Sequence, residues 1–155
     1  MLQIVQSAFD GLRVHGESVY PEESCGVLLG TGSGEARVAF EAVPLANSAE
    51  SRRNRYRIAP VDLIRAEKAA RVAGWEILGF YHSHPNHPAE PSATDLADAH
   101  WLGYSYVITS VANGSAVETR SFLLCGAREE EKHFEAETIQ IPAFPNPPGG
   151  VGNLV

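Results

Sequence analysis

The chain has 155 residues, of which 44% are hydrophobic and 20% charged, a balance that suits one globular domain with a single sizeable core and no need of a disulfide framework. Its formal net charge of -7 argues against a nucleic-acid binder held by phosphate contacts, because the long-range field repels a polyanion. No apolar run reaches the ~20 residues of a membrane helix, and no basic segment precedes an apolar one at the N-terminus, so a cytoplasmic protein without a membrane segment is expected.

In chain order, Ser7 and Asp10 read as a capping box, and Phe9, Leu12, Gly16 and Val19 fall at helical spacing, which predicts a first helix over 7–19. "SCGVLLG" and "ARVAFEAVPLAN" predict two strands joined as a hairpin through "TGSGE", and "RYRIAP" predicts a third. On such a strand Arg53, Arg55 and Arg57 share one face, either a solvated edge or a strip that grips a partner. Pro60 suits the first position of a helix whose face is Leu63, Ala66, Ala70 and Ala73 and which stops at Gly74. "WEILGFYHSH" is apolar on both faces and reads as an interior strand. Ser92 then opens a short helix ending at Gly103, before strands in "YSYVITSVAN", "AVETRSFLLCG" and "HFEAETIQI".

Helices alternating with groups of strands imply an α/β (α+β) fold, a mixed sheet with helices packed on it. That domain is expected to span residues 1–141. The Pro- and Gly-rich segment 142–155 is expected to be a flexible tail. Cys25 and Cys125 lie in separate apolar stretches and outside any CxxC pair, which favours buried free thiols in a reducing compartment.

The stretch "FYHSHPNHPAEPSATD" carries the chemistry. On a strand, His82 and His84 project to one face with Ser83 turned away. Asp95 follows across a turn stiffened by Pro85, Pro88 and Pro91. Two imidazoles and a carboxylate leave the fourth tetrahedral position of a zinc ion to water, the arrangement of a catalytic site. A purely local reading also exists. "SATD" is a good helix start, with Ser92 as N-cap and Asp95 at the third helical position, and the two roles of Asp95 can coexist.

HxHP, six residues, then SxxD is the pattern of the JAMM (MPN+) metalloproteases, and "HSHPNHPAEPSATD" resembles it at every signature position. "PEESCGVLLG" is similar to the family's glutamate-strand segment, and "YRIAP" and "ILGFYHSHP" extend the likeness over about residues 1–141. The family often has Asp where Ala59 stands, so the following helix loses a side-chain cap, at a cost of about 1 kcal/mol. The resemblance implies a single MPN-like domain of the short prokaryotic type with one catalytic zinc held by His82, His84 and Asp95. It also implies that Glu23 acts as general base and that Ser92 steadies the oxyanion.

Glu22 points away on an extended chain, His87 shapes the rim, and His15, His100 and His133 read as structural or surface residues. The activity implied is hydrolysis of a peptide or isopeptide bond at the C-terminal tail of a ubiquitin-like protein, a sulfur carrier or its conjugate, and the oligomeric state is left open. The rival reading is a catalytically idle MPN-type scaffold that recruits partners. A zinc deaminase is excluded because no PCxxC accompanies an HxE, and a zincin by the absence of HExxH.

Overall fold

The computed structural model describes residues 1–143. The elements are β1 (Leu2–Ile4), α1 (Gln6–Val19), β2 (Cys25–Thr31), β3 (Val38–Leu45), α2 (Pro60–Val72), β4 (Glu76–Pro85), α3 (Ala93–Asp98), β5 (Ser105–Ala112), β6 (Ser115–Cys125), β7 (His133–Glu137) and β8 (Ile139–Gln140). All eight strands form one mixed sheet in the order β7-β6-β5-β4-β2-β3-β1-β8. The β1/β3, β1/β8 and β4/β5 pairs are parallel and the rest antiparallel. The expected mixed sheet with packed helices is therefore present.

Alternating side chains split the core between the two faces of the sheet. On one face Leu28, Leu78, Tyr81 and Val107 pack beneath Ala8 and Leu12 of α1. On the other, Val27, Leu29, Phe80 and Tyr106 pack with Ala66 and Ala70 of α2 and with Trp75. The small Ala face lets α2 lie close to the sheet, and Gly74, at φ +75°, ends it. Ala59 caps α2 without a side-chain hydrogen bond, as expected, and Pro60 begins it. β4 is buried from Ile77 to Pro85, the interior strand predicted.

Four local expectations are corrected. The Ser7–Asp10 capping box does not form. α1 begins at Gln6 behind Val5, with no side-chain cap, because an unpredicted strand, β1, delivers the chain. Val5 N donates to Ala39 O (3.0 Å), and Val5 O accepts from Phe9 N (3.0 Å). "RYRIAP" joins no ladder: residues 55–59 lie outside regular structure and Pro60 opens α2. It is held by Asn47 and Ser48, through Arg57 N to Asn47 Oδ1 (3.1 Å) and Ser48 N to Arg57 O (2.8 Å). The three arginines consequently share no strand face. Arg55 makes a double hydrogen bond with Asp98, at 3.0 and 2.8 Å.

α3 stops at Asp98 rather than Gly103. Lys132 Nζ donates to Ala97 O (3.1 Å) and Ala99 O (2.8 Å) there, which satisfies carbonyls that further helix would have used. "HFEAETIQI" divides into β7 and β8, which lie at opposite edges of the sheet and are joined by Thr138 alone. The sheet therefore curls until its edges meet, and Leu2 N donates to Thr138 O across the seam (2.9 Å). Among the described residues no helix is long and apolar enough to cross a membrane. The tail expected from 142 onward lies, from residue 144, outside the described residues.

Candidate metal centre

β4 has partners on both sides, β2 and β5, so its C-terminal end is rigidly placed. Phe80, His82 and His84 project alternately with Tyr81 and Ser83. The ring of His82 is buried and stacks on Tyr56 with centroids 4.4 Å apart. Ser83, turned to the other face, accepts from Ser24 N at 2.8 Å, and Ser83 N donates to Ser24 O at 3.2 Å. These bonds fix the segment before β2, and with it Glu23.

Past the proline turn, α3 starts with a complete capping box. Asp95 N donates to Ser92 Oγ (3.0 Å) and Ser92 N donates to Asp95 Oδ2 (2.8 Å). The same carboxylate faces both imidazoles. Oδ2 lies 3.0 Å from His84 Nε2, Oδ1 lies 3.3 Å from His82 Nε2, and the two Nε2 atoms are 3.1 Å apart. The expected capping and the convergence on the histidines thus occur together at Asp95.

These separations can be tested against a metal. Bonds of about 2.0–2.1 Å in a tetrahedron put neighbouring ligand atoms about 3.3 Å apart, close to what the three side chains present. The donor chemistry points the same way. His84 Nδ1 lies 2.8 Å from Pro88 O, and a carbonyl can only accept, so Nδ1 carries the hydrogen and neutral His84 turns an Nε2 lone pair inward. With an ionised Asp95 that makes a convergence of acceptors, which a proton or a cation must hold together. Zinc fits this N, N, O set.

Protonation in the metal-free molecule follows. Burial opposes the charge on His84, but hydrogen bonds to Asp95 and to the Pro88 carbonyl outweigh it and raise its pKa. Burial prevails at His82 and lowers its pKa against the pull of Asp95. Burial also works against the Asp95 carboxylate, yet its bonds to His82, His84 and Ser92 N hold it well below the usual carboxylate range.

Glu23 occupies a different position. It is 5% exposed and offers a carboxylate oxygen within 4.8 Å of a ring nitrogen of each histidine, farther than Asp95. Its Oε1 is buried without a hydrogen-bond partner. Burial pushes its pKa up to about 8, with His84 pulling down and Asp95 pushing up. A carboxylate beside the two histidines, farther from them than Asp95 and protonatable near neutrality, has the properties of a general base. Glu22, next door, is bound instead to Arg52 (2.6 Å) on the solvent side. Ser92, His84, Asp95 and Glu23 line one open cleft of about 400 Å³, rimmed by Arg53, Asn54 and the exposed His87.

Sequence reasoning missed two residues here. Tyr56 supplies the ring under His82, and the aromatic in "RYRIAP" was the available signal. Asn47 has Nδ2 donating to Glu23 O (3.1 Å) and Arg55 O (3.0 Å) while Oδ1 accepts from Ala49 N (3.0 Å) and Arg57 N (3.1 Å). It fastens the loop that carries Tyr56 to the backbone of Glu23, and no local pattern announces it.

Residues 5–125 match the Prok-JAB family, prokaryotic homologs of the JAB domain. The chain is 42% identical over 90 residues to the desampylase of Haloferax volcanii, an alignment covering 58% of this chain and 63% of that protein. It is 32% identical over 129 residues to a probable TtuB-protein conjugate cleaving protease of Thermus thermophilus, covering 83% and 80%. A solved protein from Desulfitobacterium hafniense superposes with a TM-score of 0.76 at 29% identity, covering 92% of this chain and 94% of the other.

Proposed function

The chain belongs to the Prok-JAB family, and from that premise we propose that it is a zinc-dependent peptidase that hydrolyses an amide bond at the C-terminal tail of a ubiquitin-like protein, a sulfur carrier or its conjugate. The observation that carries the reading is the meeting of His82 Nε2, His84 Nε2 and the Asp95 carboxylate within 3.0–3.3 Å, with the partnerless carboxylate oxygen of Glu23 beside them.

His82, His84 and Asp95 would hold the ion. When bound, zinc supplies a Lewis acid for the scissile carbonyl and lowers the pKa of water to about 7. Glu23 takes the proton of the attacking water and returns it to the departing nitrogen, a task matched to a pKa of about 8. The Ser92 hydroxyl already accepts from Asp95 N, so its own hydrogen is free to be donated to the developing oxyanion. The Asp95 carboxylate is kept in register by Ser92 N and by the histidines.

The relatives named above, a desampylase and a protease of TtuB-protein conjugates, support a substrate of this class. An open cleft rimmed by prolines favours a slender, extended tail with glycines beside the scissile bond. The two free thiols suit a reducing, cytoplasmic setting. The test uses zinc-loaded protein and ubiquitin-like carriers extended at the C-terminus. Diglycine tails should be cut and bulky tails spared, and equal cleavage of both would sink the substrate class. Glu23→Gln should keep zinc and lose roughly 10²–10⁴ in rate. Wild-type turnover in that variant would remove Glu23 as the base.

A further inference from the structure

At the far end of the sheet from His82 and His84, β6 and β7 bring together three side chains that the hydrolytic chemistry does not use. Cys125 is the register partner of His133, and Glu135, two residues along β7, shares the face of His133. One potential ligand atom from each lies within 4.8 Å of the other two. The set comprises a thiol, an imidazole and a carboxylate.

The imidazole is oriented as His84 is in the main centre. His133 Nδ1 lies 3.0 Å from Glu131 O, a carbonyl that can only accept, so in neutral His133 that nitrogen carries the hydrogen. Nε2 then turns its lone pair toward Glu135 Oε1, 3.1 Å away. In both places a backbone carbonyl four or fewer residues distant sets the tautomer and a carboxylate faces the free nitrogen. A carbonyl behind the ring and an anionic ligand before it is the support that metal-binding histidines ordinarily receive.

We propose that Cys125, His133 and Glu135 form a second zinc site, with solvent as the fourth ligand. A thiolate, an imidazole and a carboxylate make a borderline-soft donor set suited to zinc over calcium or magnesium. All three side chains are at least partly exposed, so rotamer changes can draw them from within 4.8 Å to the shorter separations a shared ion requires. Burial and the Glu135 carboxylate hold the Cys125 thiol above its ordinary pKa. A cation between them reverses that repulsion, and binding releases the thiol proton to solvent. The ion ties the edge strand to β6 beside Lys132, whose ammonium holds the C-terminal carbonyls of α3. Asp95 stands in the first turn of that helix. The site's role is thus a structural brace at the end opposite the chemistry.

Cobalt(II) separates the two sites, since the main centre contains no thiolate ligand. Cobalt-loaded full-length protein should show a near-ultraviolet thiolate-to-cobalt charge-transfer band that persists in His84→Ala and vanishes in Cys125→Ser and in His133→Ala. Zinc titration should give two ions per wild-type chain and one in Cys125→Ser. His133 is exposed, so its replacement leaves the fold a fair test. A band that survives Cys125→Ser, a band lost with His84→Ala, or a single zinc per wild-type chain overturns the proposal.

Discussion

Two buried carboxylates of this protein meet opposite fates. Glu137, at the seam where the sheet's edges meet, accepts from Arg37 Nη2 (2.7 Å), from Ser121 Oγ (2.7 Å) and from Ser105 Oγ, while Arg37 also donates to Ser105 Oγ (2.6 Å) and to Gly34 O (2.7 Å). Both side chains of this ion pair are under a tenth exposed. Glu23 is equally buried, yet its Oε1 has no partner. A buried charge with every bond satisfied holds a fold together, whereas a buried carboxyl left unsatisfied costs stability, is pushed toward its neutral form and is a candidate for chemistry. The difference marks Glu137 as architecture and leaves Glu23 with the property that its proposed role as base requires.

One substitution at both positions breaks or sharpens that contrast. Glu137→Gln leaves Arg37 a buried cation without its anion and should lower stability by about 3–5 kcal/mol, read as a large fall in the denaturant midpoint. Glu23→Gln replaces a carboxyl whose Oε1 has no donor and whose pKa of about 8 keeps it mostly protonated at neutral pH, so the metal-free protein should be no less stable. Comparable losses at both sites in denaturation of the metal-free proteins would show that Glu23 has a structural partner after all.

The same contrast explains what could be read from the sequence. The candidate site's main stretch was legible because strand alternation and a helix cap are local rules, and between them they place His82, His84, Ser92 and Asp95. α2 and the interior strand were legible through Pro60, Gly74 and an apolar run. The seam was not. Arg37 and Glu137 are a hundred residues apart, and "HFEAETIQI" gives no sign that it changes edges at Thr138. β1 is only three residues long, and its pairing with β3 and β8 is a long-range fact that displaced the Ser7 cap. The strand expected in "RYRIAP" does not form, because the segment is held by the side chain of Asn47 rather than by a neighbouring strand.

A smaller effect should accompany metal binding. An ion that binds only the folded chain stabilises it by about 2.7 kcal/mol when free ion is 100-fold above Kd. In a Cys125→Ser background, which isolates the histidine centre, zinc should raise the melting temperature, and a chelator should abolish the rise. Adding His84→Ala should remove it altogether, whereas the Arg37–Glu137 seam, complete without any ion, should keep the unliganded baseline. A zinc shift that survives His84→Ala would place the stabilising ion elsewhere.

The smallest stability effect belongs to Ser92, where architecture and chemistry overlap. Ser92→Ala removes the oxygen that accepts from Asp95 N (3.0 Å) but keeps the backbone N–H that donates to Asp95 Oδ2 (2.8 Å). Loss of an N-cap costs about 1 kcal/mol, and zinc affinity should change little because the carboxylate keeps its backbone donor. Turnover should nevertheless fall by roughly 10²–10³ if the hydroxyl serves the oxyanion. Ser92→Asp separates the two roles, because an aspartate caps well but brings no hydrogen to donate at neutral pH. Restored stability with turnover still low assigns the hydroxyl to the reaction. Restored turnover would instead make Ser92 a helix cap whose effect on rate is transmitted through α3.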